Sequence, residues 1–405
     1  MNRFAGIFLL GWASLVTAAD WPQFRGPTAD GHYTGPALPT EWGTDKNVAW
    51  VLPIPGKAWS SPVVAKGKVY LTTAVPDGSG GQSLRALAVD VEKGNLLWNE
   101  EVFKLEAGKA PGIHSKNSHA SPTPIVEDER LYVHFGHGGT AALSLEGKTI
   151  WKREKLYTKP VHGSGGSPVL TNGLLIFSID AIDKQAVVAL NAKTGETAWE
   201  KAREANPSKS FSFSTPTVTG SNDAFQVISV GSDIVMSLDP KTGKELWRTP
   251  MKGYSVIPKP LIGKGFVYFS TSYDTPQLIA LNLDEKGKTA WSVKKGAPST
   301  PSPLMVGDEL YMVSDAGILT CLDAKSGEVI WSERVRGQYS ASPIYADGKI
   351  YLTNEQGIGT VVQASKTFEK LGEYDLKEKT FASFAAVDGS LFIRTETKLY
   401  KFRAK

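Results

Sequence analysis

From Val48 onward the chain alternates apolar and polar positions in short runs, as in Val48-Ala-Trp50-Val, Lys68-Val-Tyr70-Leu and Lys349-Ile-Tyr351-Leu, and the runs are separated by Gly, Pro, Asp and Asn. A period of two puts successive side chains on opposite faces of a strand, whereas a helix needs apolar residues three and four apart. The pattern predicts an all-β chain.

The runs repeat at longer range. Trp50, Trp98, Trp151, Trp199, Trp247, Trp291 and Trp331 stand 40 to 53 residues apart, and Tyr374 takes the next position. Most are preceded by a turn phrase: Asp90 to Gly94, Asn191 to Gly195, Asp239 to Gly243 and Asp323 to Gly327. Asp or Asn can bond its own backbone in such a turn, and Gly supplies a positive φ. A second phrase starts a short strand at Pro62, Pro124, Pro168, Pro216, Pro260, Pro303 and Pro343, with Phe384 in the eighth slot. An apolar or aromatic residue follows eight positions on, except in the fourth repeat, where Ser221-Asn222-Asp223 lengthens the turn. Each unit reads as four antiparallel strands, and a repeat of this length is the period of propeller blades. The eighth unit, Phe381 to Phe402, holds three strands, while Asn47 to Leu52 is an outer strand with no inner strands before it. The expected architecture is an eight-bladed β-propeller over residues 47–405, closed by the early strand completing the last blade. The seven tryptophans are expected to dock neighbouring blades.

Residues ahead of the repeats carry a different signal. Asn2-Arg3, the apolar stretch Phe4 to Val16 and Thr17-Ala18-Ala19 read as a signal peptide over residues 1–19, which predicts a periplasmic or otherwise exported protein. The single cysteine, Cys321, lies far from that cleavage site, so neither a lipid anchor nor an intramolecular disulfide is expected. Residues 20–46, rich in Gly and Pro, read as an arm packed on the propeller surface, with Arg25 either pinning it there or contacting a partner. A net charge of +4, with Lys+Arg 45 against Asp+Glu 41 and no basic run, excludes the footprint of a nucleic-acid binder.

With its Ser-Pro strand starts, the repeated Asp/Asn-x-x-x-Gly-x-x-x-Trp phrase resembles the pyrroloquinoline-quinone (PQQ) repeat. That repeat is shared by quinoprotein alcohol dehydrogenases and by the propeller subunit of the outer-membrane β-barrel assembly machinery. The opening Asp20 to Pro27 and the stretch His114 to Pro122 are similar to exported planctomycete-type propellers. The dehydrogenase resemblance implies a quinone held over calcium by carboxylate and amide ligands. Asp180, Asp183, Asp274, Asp315 and Glu355 follow inner strands, but no matched ligand set can be read, so no cofactor is required and PQQ with calcium stays the alternative.

Five of six histidines, His114, His119, His134, His137 and His162, cluster in and around the second blade without a zinc spacing, and no metal site is assigned. Residues next to inner strands are the candidates for a ligand-binding channel mouth: Lys57, Trp59, Lys116, Asn117, His119, His162, Phe213, Tyr254, Lys259, Tyr339 and Arg394. A mixed aromatic and basic ring suits a protein, peptide or glycan partner in the envelope. No catalytic residue is assigned, because no Gly-x-Ser-x-Gly elbow or His-Glu-x-x-His pair occurs. The resulting expectation is a monomeric binding or assembly scaffold, with a PQQ-dependent alcohol or sugar dehydrogenase as the alternative.

Overall fold

The structure is a computed structural model that describes residues 20–220 and 225–404. The signal peptide read at residues 1–19 and the lengthened turn at Ser221 to Asp223 lie outside the described residues. Inner strands buried on both faces, as in Arg130–His134 and Ile234–Leu238, and part-exposed outer strands such as Val48–Pro53 form eight antiparallel sheets around one axis. Blade 1 comprises Val63–Ala65, Lys68–Pro76, Gln82–Asp90 and Leu96–Leu105. Blades 2 to 7 repeat it, their first strands being Ile125–Glu127, Val169–Thr171, Thr217–Thr219, Leu261–Gly263, Leu304–Val306 and Ile344–Ala346. These short first strands neighbour one another from blade to blade and therefore line the axis. The hairpin partner is the residue eight past the proline position, as in Val63 opposite Tyr70 and Ile344 opposite Tyr351, except in blade 4, where Thr217 stands opposite Ile228, twelve past Pro216.

Blade 8 is made by both ends of the propeller. Ala385–Val387, Ser390–Arg394 and Lys398–Arg403 are completed by Val48–Pro53, with Trp50 opposite Lys401 and Leu52 opposite Leu399. The closure covers the free edge that Lys398–Arg403 would otherwise present to another chain. Among the described residues no helix is long and apolar enough to cross a membrane.

The two repeated residues of the turn phrase meet across blades rather than within one. Trp199 lies on Gly243 of the following blade, where a β-carbon would stand 2.7 Å from the indole, and its Nε1 donates to Pro240 O at 3.0 Å. Trp50 on Gly94 and Trp151 on Gly195 repeat the arrangement, and their Nε1 groups donate to Val91 O and Ala192 O at 3.0 Å. Glycine is required there twice over, for its positive φ and for the flat space that admits the ring. Only Trp151 and Trp199, both 9% exposed, are buried; the others stand half-buried on the rim. Where blade 7 carries Tyr374 instead, Trp42 of the arm fills the seam against Tyr351, Tyr374 and Phe384.

The arm is not a surface strap. Trp21 bridges Val64 of blade 1, Val126 N of blade 2 donates to Pro22 O, and His32–Tyr33 adds a parallel strand to Ile344–Ala346 of blade 7. Arg25, 2% exposed, donates to the carbonyls of Ser302 and Pro303 ahead of blade 6. The exposed axial edges of the first strands offer unpaired backbone groups, and an extended segment inside the ring satisfies them as no external packing would. The arm thus plugs one end of the axis.

Candidate functional site

The other end of the axis opens into a cavity of about 650 Å³. Its floor is a belt built from the residue before each strand-starting proline. Ser61 N donates to Thr123 Oγ1, Thr123 N to Ser167 Oγ and Ser167 N to Thr215 Oγ1 at 2.9 to 3.0 Å. Beyond blade 5 the series resumes, with Lys259 N donating to Ser302 Oγ, Ser302 N to Ser342 Oγ, Ser342 N to Ser383 Oγ and Ser383 N back to Ser61 Oγ at 2.9 to 3.1 Å. Blade 5 alone carries lysine in place of the hydroxyl. Phe24 of the arm adds to the lining, so the cavity ends blind.

Aromatic side chains on the loops before the first strands form two walls. On one side Trp59 packs on Phe381 with ring centres 4.5 Å apart. On the other, Phe211 touches His162, Phe213 and Tyr254 at 5.1, 6.1 and 5.5 Å. His114 faces His162 at 5.7 Å, and burial is the largest of the effects holding its imidazole below the ordinary value. Charges around the mouth are paired: Lys116 Nζ bonds Glu355 at 2.7 Å, and Lys209 donates to Tyr254 Oη, which donates to Asp274. Three lining residues hold left-handed backbone, His162 at φ 61°, Ser255 at 54° and Tyr273 at 64°. Such conformations cost about 1–2 kcal/mol each in a residue with a β-carbon and collect at functional sites.

Six of the eleven residues expected at the mouth come together there: Trp59, Lys116, Asn117, His162, Phe213 and Tyr254. Five do not. Lys57 lies beside the Trp59 ring, 3.7 Å from Glu396, and does not line the cavity. His119 is turned toward His137, ring centres 6.4 Å apart, behind the wall. Tyr339 is fully buried in the seam of blades 6 and 7, because its loop folds back to bond Asp315 O. Arg394 ends a second strand whose side chain enters the seam with blade 1, donating to Ser60 Oγ and Thr72 O; burial pulls it down to about 9. Lys259 reaches past the belt toward the arm. Phe24, Phe211, Phe381, Lys209 and the hydroxyl belt were missed, although the Ser/Thr before each proline was a visible signal for the belt.

The carboxylates considered for calcium are dispersed and engaged. Asp180 is paired with buried Arg203, Asp183 accepts from Thr158 and Lys159, and Asp315 accepts from Ser299 and Thr300. Among the described residues no three His, Cys, Asp or Glu are grouped to hold a metal. This donor set does not fit a quinone–calcium site.

Eight four-stranded blades, closed by the first propeller strand and docked by the Trp and Gly of one repeated phrase, define a PQQ-like β-propeller. The family model described as outer membrane protein assembly factor BamB matches residues 34–178, 153–251 and 183–405, and the chain belongs to that family. BamB from Moraxella catarrhalis superposes with a TM-score of 0.60 at 14% identity, covering 88% of this chain and 99% of that one. The quinohemoprotein alcohol dehydrogenase from Comamonas testosteroni gives 0.65 at 14% identity, covering 95% and 81%, and a europium-containing methanol dehydrogenase gives 0.65 at 11%, covering 95% and 98%. At these identities the likeness is one of fold. No curated protein matches. The similarities reach the repeat family as a whole and do not single out the planctomycete-type propellers.

Proposed function

We propose that this chain is an exported binding scaffold of the cell envelope whose axial mouth receives a loop or chain end of a partner polypeptide. The observation that carries the reading is the blind, aromatic-walled cavity of about 650 Å³ with its charges already paired. An interface of that kind draws affinity from buried aromatic anchors, while the paired rim charges set orientation. The assembly role printed for the BamB family supports a protein partner in general. The alternative, a quinone-dependent dehydrogenase, shares the fold, but no converging donor set stands among the described residues.

A photo-crosslinking amino acid at Phe211, inside the mouth, is expected to capture a defined envelope polypeptide that the same group at Leu246, 45% exposed on the outer rim, does not. Identical capture profiles at the two positions, or a glycan in place of a polypeptide, would overturn the reading.

A further inference from the structure

A second cavity, of about 210 Å³, lies on the far side of the hydroxyl belt. The arm residues Gln23 and Thr28 to Asp30 form one wall, and the first strands of blades 3, 4 and 5 form the other. Among the described residues the arm's backbone bonds to first strands go to blades 1, 2 and 7 and none to these three.

Lys259 stands in this wall. Seven blades place Ser or Thr at its position and close the belt with a hydroxyl, so the lysine interrupts a structural pattern and brings a charge into the interior. It is 5% exposed, and its ammonium donates to Ala29 O at 3.0 Å and to Thr217 Oγ1. An ammonium has three N–H groups, which leaves one for the cavity. The hydroxyl of Thr217 accepts from Lys259, and its own hydrogen is free to donate. Breaking a local rule at the cost of burying a charge is the mark of a functional position.

Charge accounting narrows the ligand. Arg25 and Lys259 are buried basic groups and Asp30 is the carboxylate that acts on both; burial, with Arg25 close by, holds Lys259 down to about 7, so below that pH its ammonium leaves one positive charge uncompensated around the cavity. Asp30 does not bond either cation through its side chain: its Oδ1 accepts from Thr28 Oγ1 and His32 N. A singly charged acceptor balances the site; a dianion would meet Asp30 across the same small space.

We infer that this cavity binds a small monocarboxylate, held by the Lys259 ammonium and the Thr217 hydroxyl and closed in by the arm. The site lies beyond the belt and is independent of the mouth described above. Because Gln23 and Thr28 to Asp30 form part of it, the bound anion fastens the arm into the axis.

Acetate is the probe, by calorimetric titration of the full mature chain, with Lys259→Ser as the variant. Serine restores the eighth hydroxyl of the belt, so the variant is expected to fold with an unfolding midpoint at or above that of the parent. The parent is expected to bind one equivalent of acetate, the variant to bind at least tenfold more weakly, and acetate to slow tryptic cleavage within residues 20–46 of the parent alone. Equal acetate affinity in both, no binding of acetate to the parent, preference for phosphate over acetate, or a variant that fails to fold would each overturn the inference. Crosslinking from Phe211 reads the mouth separately, so either reading can fail without the other.

Discussion

Gly243→Ala tests the rule that joins one blade to the next. Alanine at Gly243 meets two obstacles: a backbone φ of +70° and an indole, that of Trp199, 2.7 Å from the new β-carbon. Gly173 shares the first obstacle at φ +71° and lacks the second, since nothing lies within 4 Å of its β-carbon position. Left-handed backbone costs an alanine about 1–2 kcal/mol, the expected effect of Gly173→Ala. Displacing a packed ring adds about 1–3 kcal/mol, so Gly243→Ala should lose roughly 2–5 kcal/mol in total. Trp199 cannot slide freely, because it is 9% exposed and tied to Pro240 O at 3.0 Å. Urea unfolding of the two single variants, and of Gly243→Ala in a Trp199→Ala background, closes a double-mutant cycle. In that background the Gly243 substitution should cost no more than Gly173→Ala, a coupling of about 1–3 kcal/mol. Equal losses for the two glycine variants, or a Gly243 effect that survives removal of the indole, would refute the docking argument.

Two further outcomes follow from buried side chains. Trp42→Ala should destabilise by about 3–5 kcal/mol, since the ring is 1% exposed between Tyr351, Tyr374 and Phe384, while Leu246→Ala on the rim stays within about 0.5 kcal/mol; equal midpoints in urea would contradict the seam assigned to Trp42. Burial, aided by His137 and His119 respectively, holds His134 down to about 3 and His137 to about 4, below the ordinary 6.5. The unfolded chain therefore takes up protons that these rings refuse in the fold, and stability falls as pH drops from about 6.5 toward 3, by up to about 1.4 kcal/mol per pH unit for each. His134→Gln should flatten that slope in urea titrations between pH 6.5 and 4.5, and an unchanged slope would count against it.

Local chemistry explains which of these features the sequence carried. Alternation, the Gly-bearing turn, the tryptophan period and the incomplete final unit are encoded within single strands and turns, and they sufficed for eight blades and for the closure by Val48–Pro53. The mouth was legible in part: Trp59, Lys116, Asn117, His162, Phe213 and Tyr254 precede first strands and reach the cavity, whereas Tyr339 and Arg394, chosen by the same reasoning, turn into seams. Where a loop side chain points depends on how the loop folds over its neighbours, and that is not written in the loop.

The sequence alone determined the repeating unit, because each strand and turn answers to residues a few positions away. What only the tertiary structure decided are the pairings between units: Trp199 on Gly243 rather than on its own Gly195, hydroxyls linked from blade to blade, and an arm drawn inside the ring. Each joins residues about 40 or more positions apart, and their meeting is settled by how neighbouring blades and the chain's first segment pack around a common axis rather than by any local preference.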